Sequence, residues 1–313
     1  MRALVSRQLN GPELIEAELP EPAKGQVRIK VDAAAINPVD LAATDGTLLT
    51  YDITAPREQF GLGWDVAGTI DTTGPGVDLE PGTPVVGVAD LLGRSLKTHA
   101  EYVVLDADAI ARAPRGLDPA EASTFALNAL TALQAYDALN LRAGQTVLVT
   151  GAAGGVGGYA VELGKHLGLE VIASAGEADE ELVRRRFGAD EFVPRSADLA
   201  TAVRALYPQG VDGVVDAAVI GIGTQEAVRN RGVHAHVVAG TPPTPLRGIS
   251  VYQIFATARR KELDELVALV EAGVLSTRVA ATYRLEDGEA AYKHLAQGGV
   301  RGRVVLDLRL GSE

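Results

Sequence analysis

The chain has 313 residues, of which 47% are apolar and only 4% aromatic, so it is long enough for two domains with cores built from Val, Leu, Ala and Ile. Its formal net charge of −12, from 41 acidic and 29 basic side chains, disfavours nonspecific attraction to nucleic acid and to anionic membranes. Cysteine is absent, which excludes disulfides and thiolate zinc sites. With no charged and apolar leader and no run of about 18 apolar residues, the expectation is a soluble protein of the cytoplasm.

The first third of the chain predicts a β-rich domain over residues 1–118. Short β-branched runs at 26–33, 66–72 and 100–105 are separated by glycine and proline turns, as in antiparallel strands. The pattern changes at Asp118, which with Pro119 is a good N-cap and first residue for an alanine-rich helix over 120–139. A second domain is predicted for residues 119–257.

From residue 145 onward, predicted strands and helices alternate. The strands are expected at 146–150, 170–173, 192–193, 213–216 and 233–238, and the helices at 155–167, 179–187, 198–206 and 223–229. This alternation predicts an α/β fold with a parallel sheet covered by helices on both faces. A stiff loop with Pro242, Pro243 and Pro245 follows, then a helix at 260–271 with a one-sided apolar stripe and a strand at 303–308.

Residues 146–157, TVLVTGAAGGVG, carry the strongest chemical signal. A β-branched strand ends in a glycine-rich turn that opens a helix, with alanine in place of the first glycine of G-x-G-x-x-G. Bare backbone at such a turn lets a pyrophosphate approach the free N–H groups of the helix N-terminus. The sequence therefore predicts a dinucleotide site at Ala153, Gly154, Gly155 and Val156.

The end of the second strand addresses the choice of dinucleotide. An NAD site places a carboxylate about 20 residues beyond the glycines to accept from the ribose 2′-hydroxyl. Ser174 and Gly176 lie there instead, with Glu177 further on. This small neutral turn favours NADPH, and NADH remains possible. The arginines at 184–186 either supply positive charge to a 2′-phosphate or lie on a solvated helix face.

Five segments in order resemble the zinc-independent quinone oxidoreductases of the medium-chain dehydrogenase/reductase family. They are residues 35–40 (AINPVD), 63–68 (GWDVAG), 99–102 (HAEY), 144–157 (GQTVLVTGAAGGVG) and 300–306 (VRGRVVL). The resemblance implies a GroES-like catalytic domain to which residues 258–313 return, a Rossmann domain, and an active cleft between them. It also implies NADPH as hydride donor and a homodimer paired through the Rossmann sheets.

The same resemblance assigns roles to individual residues. Asn37 is expected near nicotinamide and substrate, where it either donates its amide N–H to a carbonyl oxygen or caps the turn before Pro38. Thr131 is expected near the nicotinamide, and Ala239 in the cofactor site. Asp40 either orients neighbours in the cleft or stabilises its turn. Tyr51 is the candidate proton donor, the alternative being a surface-loop tyrosine.

The family pattern also shows departures. Where related proteins use serine and lysine to hold the 2′-phosphate, this chain has Gly176, Glu177 and Glu180. By the same resemblance, the positions of the catalytic zinc ligands of metal-dependent relatives correspond to Asn37, Trp64 and Leu127, and none of these side chains replaces a thiolate or imidazole. The remaining candidate metal ligands are the histidines at 234 and 236. We interpret those two as strand residues without a third ligand, and His99 as a core residue. No metal site is predicted.

Chemistry without a Lewis acid suits quinones and α,β-unsaturated carbonyl compounds. Hydride addition to an electron-poor carbon gives an enolate or hydroquinone anion that solvent or a weak acid can protonate, so the protein mainly orients the reactants. The sequence thus predicts an NADPH-dependent reductase of a small-molecule quinone or enone. Two alternatives stay open: a cofactor-binding protein with a sensor, structural or RNA-binding role, and a tailoring enoyl reductase of one biosynthetic intermediate.

Overall fold

Strand pairing divides the chain into two units in the computed structural model, which describes residues 1–237, 240 and 242–310. The first unit comprises Met1–Leu127 and the segment that begins at Thr257, and the second comprises Asn128–Ala256. In order, the first unit opens with β1 (Arg2–Arg7), β2 (Glu13–Glu16), β3 (Gln26–Ile36), α1 (Pro38–Asp45), α2 (Thr47–Thr50), β4 (Gln59–Gly61), β5 (Asp65–Thr73), β6 (Pro84–Val88), β7 (Tyr102–Asp106), β8 (Ile110–Arg112) and α3 (Pro119–Ala122).

The second unit alternates strands and helices, as the sequence predicts. Helix α4 (Ala126–Leu139) leads into β9 (Thr146–Thr150), α5 (Gly155–His166), β10 (Glu170–Ala175), β11 (Glu191–Pro194), α6 (Leu199–Leu206), β12 (Val211–Asp216), α7 (Ile222–Gln225), β13 (Val228–His236) and β14 (Ser250–Gln253). The chain then re-enters the first unit with α8 (Arg260–Glu271), β15 (Val279–Tyr283), α9 (Gly288–Ala296) and β16 (Arg303–Asp307).

Both units are built on sheets. The first has a three-stranded sheet in the order β2-β1-β4 and a seven-stranded sheet in the order β15-β16-β3-β5-β6-β8, with β7 also paired to β3. The second has a six-stranded sheet in the order β11-β10-β9-β12-β13-β14, and every pairing in it is parallel. Strand β9 lies inside this sheet with Val147, Leu148 and Val149 fully buried, as an apolar run between helix-covered faces requires. The predicted α/β class with a doubly wound parallel sheet is confirmed.

Several predicted elements are confirmed and several are corrected. Asp118 caps α3 by accepting from the backbone N–H of Ala120 at 2.9 Å. The single helix expected over 120–139 is wrong, because α3 ends before α4 begins. At that break the hydroxyls of Ser123 and Thr124 donate to the carbonyls three residues earlier and compete with the helical pattern.

The second unit has three further differences. In place of the one α-helix expected at 179–187, the chain forms a 3₁₀ turn (Glu177–Asp179) and then a π-helical turn (Leu182–Arg186). The helix expected at 223–229 is the single turn α7, since β13 already begins at Val228. Strand β14 lies in a stretch that the sequence analysis leaves as loop. Within the described residues, no helix is long and apolar enough to cross a membrane.

Candidate functional site

The glycine turn after β9 presents bare backbone at the start of α5. Gly151 has φ +59°, in the left-handed region, and Gly154 is the extended N-cap of the helix. A Cβ at Gly157 would overlap the carbonyl oxygen of Gly151 and lie 2.6 Å from its carbonyl carbon, so this position requires glycine for the helix to pack on the turn. A Cβ at Gly154 would meet only the Gly151 oxygen, at 3.1 Å, and Gly154 is exposed. Packing therefore requires glycine at position 157, whereas the glycine at position 154 leaves open space beside the turn.

The predicted cofactor residues of this turn lie together. Ala153 is buried, Gly154 is exposed, and Gly155 and Val156 are half-buried at the first turn of α5. Thr131 lies on α4 and is nearly buried. Ala239 lies outside the described residues. The four turn residues thus lie at the N-terminus of α5 beside an uncovered glycine, and a helix N-terminus is a favourable place for a phosphate.

A charged residue that the sequence analysis missed lies next to the end of β10. Ser174 is buried and pairs in the sheet, and Gly176 follows the strand. The exposed Arg195, which follows β11, lies next to this end, since its Nε would be 3.9 Å from a Cβ at Gly176. Its backbone N–H donates to the carbonyl of Ala175 at 2.8 Å. The signal was the parallel pairing of β10 with β11, which brings the residues after both strands to one edge.

The three arginines at 184–186 lie on the π-helical turn. Arg184 pairs with Glu180 at 3.6 Å and donates to the backbone carbonyl of Asp190 at 2.9 Å. Arg185 pairs with Glu181 at 3.2 Å, with both side chains about four-fifths exposed. Two of the three guanidinium groups are therefore engaged by local acceptors on their own surface.

Asn37 belongs to a buried polar cluster in the first unit. Its Nδ2 donates to Oδ2 of Asp65 at 2.8 Å and to the carbonyl of Ala35 at 3.3 Å, while Arg303 donates to its Oδ1. The other oxygen of Asp65 accepts from the backbone N–H of Leu127 at 2.7 Å. Both amide hydrogens of Asn37 are thus donated inside the cluster.

The electrostatics of this cluster centre on Asp65, which is completely buried. Loss of hydration raises the pKa of its carboxyl to about 6, against the opposing effects of the Arg303 charge and of the hydrogen bonds from Leu127 and Asn37. The guanidinium of Arg303 thus faces the carboxylate and amide of the cluster. The cluster lies where the end of β3, the start of β5 and the start of α4 meet.

Asp40 and Tyr51 occupy different environments in the same unit. Asp40 is buried and accepts from the backbone N–H groups of Asn37, at 2.8 Å, and Gly63, at 2.7 Å, which caps α1 and joins it to the segment before β5. Tyr51 follows α2 and is 48% exposed. Among the described residues, no hydrogen bond joins its phenol to Asn37 or Asp40. The structure brings Asn37 and Asp40 together and leaves Tyr51 apart from them.

His99 lies in the core of the first unit, as predicted. Its Nε2 is 3.2 Å from the carbonyl of Ala35, and its Nδ1 is 2.9 Å from the hydroxyl of Tyr292. Because a carbonyl only accepts, Nε2 carries the hydrogen and Nδ1 accepts from the phenol. Burial also lowers the pKa of this imidazole, which keeps it neutral.

Lys97 is a second residue that sequence reasoning missed. It is only 2% exposed, and its Nζ lies 3.5 Å from the centre of the Trp64 ring, a cation–π contact. Burial lowers the pKa of this ammonium group to about 7, although the charges of Asp40 and Asp90 oppose the shift. A single lysine between Leu96 and Thr98 gives no sequence signal for such an environment.

The two strand histidines of the second unit have a carboxylate beside them. Parallel pairing of β12 with β13 aligns Val214 with His234 and Asp216 with His236. One ligand atom from each of Asp216, His234 and His236 lies within 4.8 Å of the others, and all three residues are buried. The interpretation that these histidines lack a third ligand is wrong, because strand pairing brings in a residue that is distant in the sequence.

Comparisons with known proteins agree with this arrangement. Residues 23–115 match the model of the alcohol dehydrogenase GroES-like domain, and residues 187–306 match a model described as zinc-binding dehydrogenase. The chain is 28% identical over 316 residues to a chloroplast envelope quinone oxidoreductase homolog from Arabidopsis thaliana, covering 95% of this chain and 94% of that protein.

Solved structures show the same likeness. A crystal structure of an NAD-dependent alcohol dehydrogenase is 30% identical, with a TM-score of 0.86 over 98% of this chain and 100% of that one. A mycobacterial protein complexed with NADPH is 25% identical, with a TM-score of 0.82 over 98% of this chain and 99% of that one. The likeness therefore extends over both units.

Proposed function

Because the chain belongs to the medium-chain dehydrogenase/reductase family, we propose that it is an NADPH-dependent reductase of quinones or α,β-unsaturated carbonyl compounds that needs no catalytic zinc. Two observations together carry this proposal. The second unit has an uncovered glycine turn after β9, and the polar cluster of the first unit contains the guanidinium of Arg303. The turn suits a dinucleotide, and the cluster is unsuited to a metal ion.

The glycine turn fits the pyrophosphate of a nicotinamide dinucleotide. Gly154 leaves open space where a side chain would otherwise stand, and this space lies at the N-terminus of α5, an end of a helix that favours anions. Gly157 allows the helix to pack close to the turn. When bound, the dihydronicotinamide supplies a hydride to the substrate.

Arg195 supports NADPH over NADH. Its guanidinium lies beside Gly176, at the strand end where the ribose of a dinucleotide is expected in this fold. Two acidic groups lie near the same strand end. Oδ2 of Asp179 would be 3.1 Å from a Cβ at Gly176. The hydrogen bond from Ser196 and the charge of Arg195 lower the pKa of Glu177, which keeps that carboxylate ionised. The preference for NADPH in this proposal therefore depends on the guanidinium of Arg195, which these carboxylates oppose, and NADH is the weaker donor.

The positions of the family's catalytic zinc do not fit a metal ion. Asn37 and Leu127 both converge on Asp65, but they do so through amide hydrogens, and the indole of Trp64 stacks against Lys97. Arg303 adds a positive charge that donates to Asn37. The guanidinium of Arg303 and the lack of a thiolate or imidazole at these three positions oppose zinc binding, so we derive no step through zinc there.

The side chains of the first unit then have positioning roles. Asn37 holds Asp65 and Arg303 in place through its amide, and Asp40 fixes the backbone on which Asn37 lies. Tyr51 stays the candidate proton donor for the substrate oxygen, because its phenol is exposed and has no hydrogen bond within the described residues. Solvent is the alternative proton source.

We also propose that the protein is a cytoplasmic homodimer paired through the sheet of the second unit. Strand β14 is at the edge of this sheet, with Tyr252 on the strand 41% exposed and Phe255 just beyond it 56% exposed. An exposed edge strand with aromatic side chains is a pairing surface that a second copy would cover.

Substrate-dependent oxidation of NADPH tests the proposed function. Purified protein is mixed with NADPH or NADH and a panel of quinones, enones and saturated ketones, and the loss of dihydronicotinamide absorbance is followed. The proposal predicts turnover with quinones or enones, faster with NADPH, and none with the saturated ketones. Cofactor binding without turnover on any quinone or enone would contradict it and would favour a non-catalytic role.

A further inference from the structure

The second unit contains a buried cluster that the proposed reductase chemistry does not use. It consists of Asp216 at the carboxyl end of β12 and of His234 and His236 near the end of β13. All three side chains are fully buried. The two histidines lie on one face of their strand because side chains at i and i+2 point the same way.

The carboxylate of Asp216 is ionised and rigidly held. Oδ1 accepts from the hydroxyl of Thr150 at 2.6 Å, and Oδ2 accepts from the backbone N–H of Gly221 at 2.7 Å. Oδ2 also faces both histidines, at 4.0 Å from Nε2 of His234 and 3.8 Å from Nδ1 of His236. These separations are too long for hydrogen bonds.

The tautomer of His234 follows from its other neighbour. The hydroxyl of Thr224 donates to the carbonyl of Gly221 at 2.8 Å, so it has no hydrogen left for the imidazole. Nδ1 of His234, 3.3 Å from that hydroxyl oxygen, is therefore the donor. Nε2 then carries a lone pair, and this atom has no hydrogen-bond partner among the described residues. An electron pair thus faces a carboxylate with no proton between them.

His236 is the second residue of the cluster with unsatisfied ring nitrogens. Neither of its ring nitrogens has a hydrogen-bond partner within the described part of the chain. Buried polar atoms are almost always paired, so two imidazoles and a carboxylate that converge without hydrogen bonds between them require an explanation. A cation between them would pair a nitrogen of each imidazole and lie beside the negative charge of the carboxylate.

We propose that Asp216, His234 and His236 form a binding site for a divalent transition-metal cation, Zn²⁺ foremost. Two imidazole nitrogens and one carboxylate oxygen are a donor set that Zn²⁺ accepts. Tetrahedral ligands at about 2.0–2.2 Å from zinc stand roughly 3.3 Å apart, and none of the present separations exceeds 4.8 Å. Small side-chain rotations close that difference.

The surrounding hydrogen bonds match those of ligands in known metal sites. Thr224 orients the His234 ring through Nδ1, and backbone N–H groups fix the carboxylate, as outer partners of metal ligands do. The site is separate from the zinc positions of metal-dependent relatives, which correspond to Asn37, Trp64 and Leu127 in the first unit. It also does not depend on the proposed reductase activity.

Cobalt titration of the untagged full-length protein, stripped with a chelator, tests the site. Co²⁺ is the probe because its visible absorption reports coordination number, and the absence of cysteine removes thiolate bands. We expect one equivalent to bind with absorption several-fold stronger than that of the aqueous ion, and Zn²⁺ to displace it and raise the melting temperature. An absorption spectrum that matches that of aqueous Co²⁺ at every molar ratio of metal to protein would overturn the proposal.

Variants identify the ligands. His234→Gln and Asp216→Asn are expected to weaken Co²⁺ binding at least about a hundredfold, and Thr224→Val by about tenfold or more through loss of the orienting hydrogen bond. His166→Gln, at an exposed histidine at the end of α5, is the matched control and should bind as the wild type does. Equal binding by the His234 and His166 variants would refute the assignment. If a ligand variant fails to fold, zinc X-ray absorption of the wild type decides, since two imidazole ligands are expected and a spectrum without imidazole scattering contradicts the site.

Discussion

Two glycines of one turn should separate cofactor binding from folding. Gly154 adopts φ −80° and ψ −173°, which any residue tolerates, and its Cβ would meet only one atom within 4 Å. Gly154→Val should therefore destabilise the protein only modestly, by about 0.5–1 kcal/mol, since its Cβ approaches the Gly151 oxygen at 3.1 Å and valine is a poorer N-cap than glycine. Its isopropyl group would occupy the phosphate space. Loss of two hydrogen bonds to a charged phosphate, each about 1.5–3 kcal/mol, weakens NADPH binding at least about a hundredfold.

Gly157→Ala should lower stability as well as the affinity for NADPH. Its Cβ would lie 2.6 Å from the carbonyl carbon of Gly151 and 2.9 Å from Cα of Ala152, so the helix must move away from the turn. Overpacking of this kind costs about 1–3 kcal/mol of stability, which thermal unfolding measures, and calorimetric titration with NADPH gives the affinities. A folded Gly154→Val protein that binds NADPH within threefold of the wild type would refute the cofactor site.

Three further outcomes follow from the described contacts. Arg195→Ala should raise the Kd for NADPH about tenfold and leave that for NADH unchanged, whereas Arg185→Ala, already paired with Glu181, should change neither; equal loss for both nucleotides would contradict the role of Arg195. For Lys97, the folded pKa of about 7 is below the ordinary 10.5, so between these values the unfolded chain holds a proton that the folded chain lacks, and stability rises with pH. Lys97→Met should remove this pH dependence. The free energy of unfolding of the variant relative to the wild type, measured by urea unfolding, should therefore fall by roughly 2 kcal/mol between pH 7 and pH 9. A difference that is the same at both pH values would contradict the lowered pKa of Lys97. Tyr252→Lys on the edge strand should shift the protein from dimer to monomer in light scattering, and an unchanged mass would exclude pairing at that edge.

Local sequence signals predicted the parts of the fold that local physics determines. The strand at 146–150 and the helix at 260–271 have the predicted bounds, because each has a clear hydrophobic period and a defined end. The cap at Asp118 was also predictable from one residue and the proline after it. The break between α3 and α4 was not, since it depends on hydroxyls that compete with helical hydrogen bonds.

The site features that sequence reasoning missed depend on contacts between distant segments. Asp216 meets His236 through the register of two parallel strands, and Arg195 reaches the end of β10 in the same way. No spacing rule in one sequence gives that register. Arg303 likewise contacts Asn37 only because β16 pairs with β3. Sequence motifs located the predicted site residues, but the pairing of distant strands determines which side chains contact them.

Transfer of deuterium from labelled NADPH to substrate tests the central claim most directly. The protein is incubated with NADPH deuterated at C4 of the nicotinamide and with a quinone or enone that it turns over, and the product is examined by mass spectrometry. We predict deuterium at the reduced carbon of an enone, or its loss from the cofactor at the rate of quinone reduction, in the wild type and not in Gly154→Val. Substrate reduction that proceeds while the label stays on the cofactor, or that Gly154→Val leaves unchanged, would contradict the account.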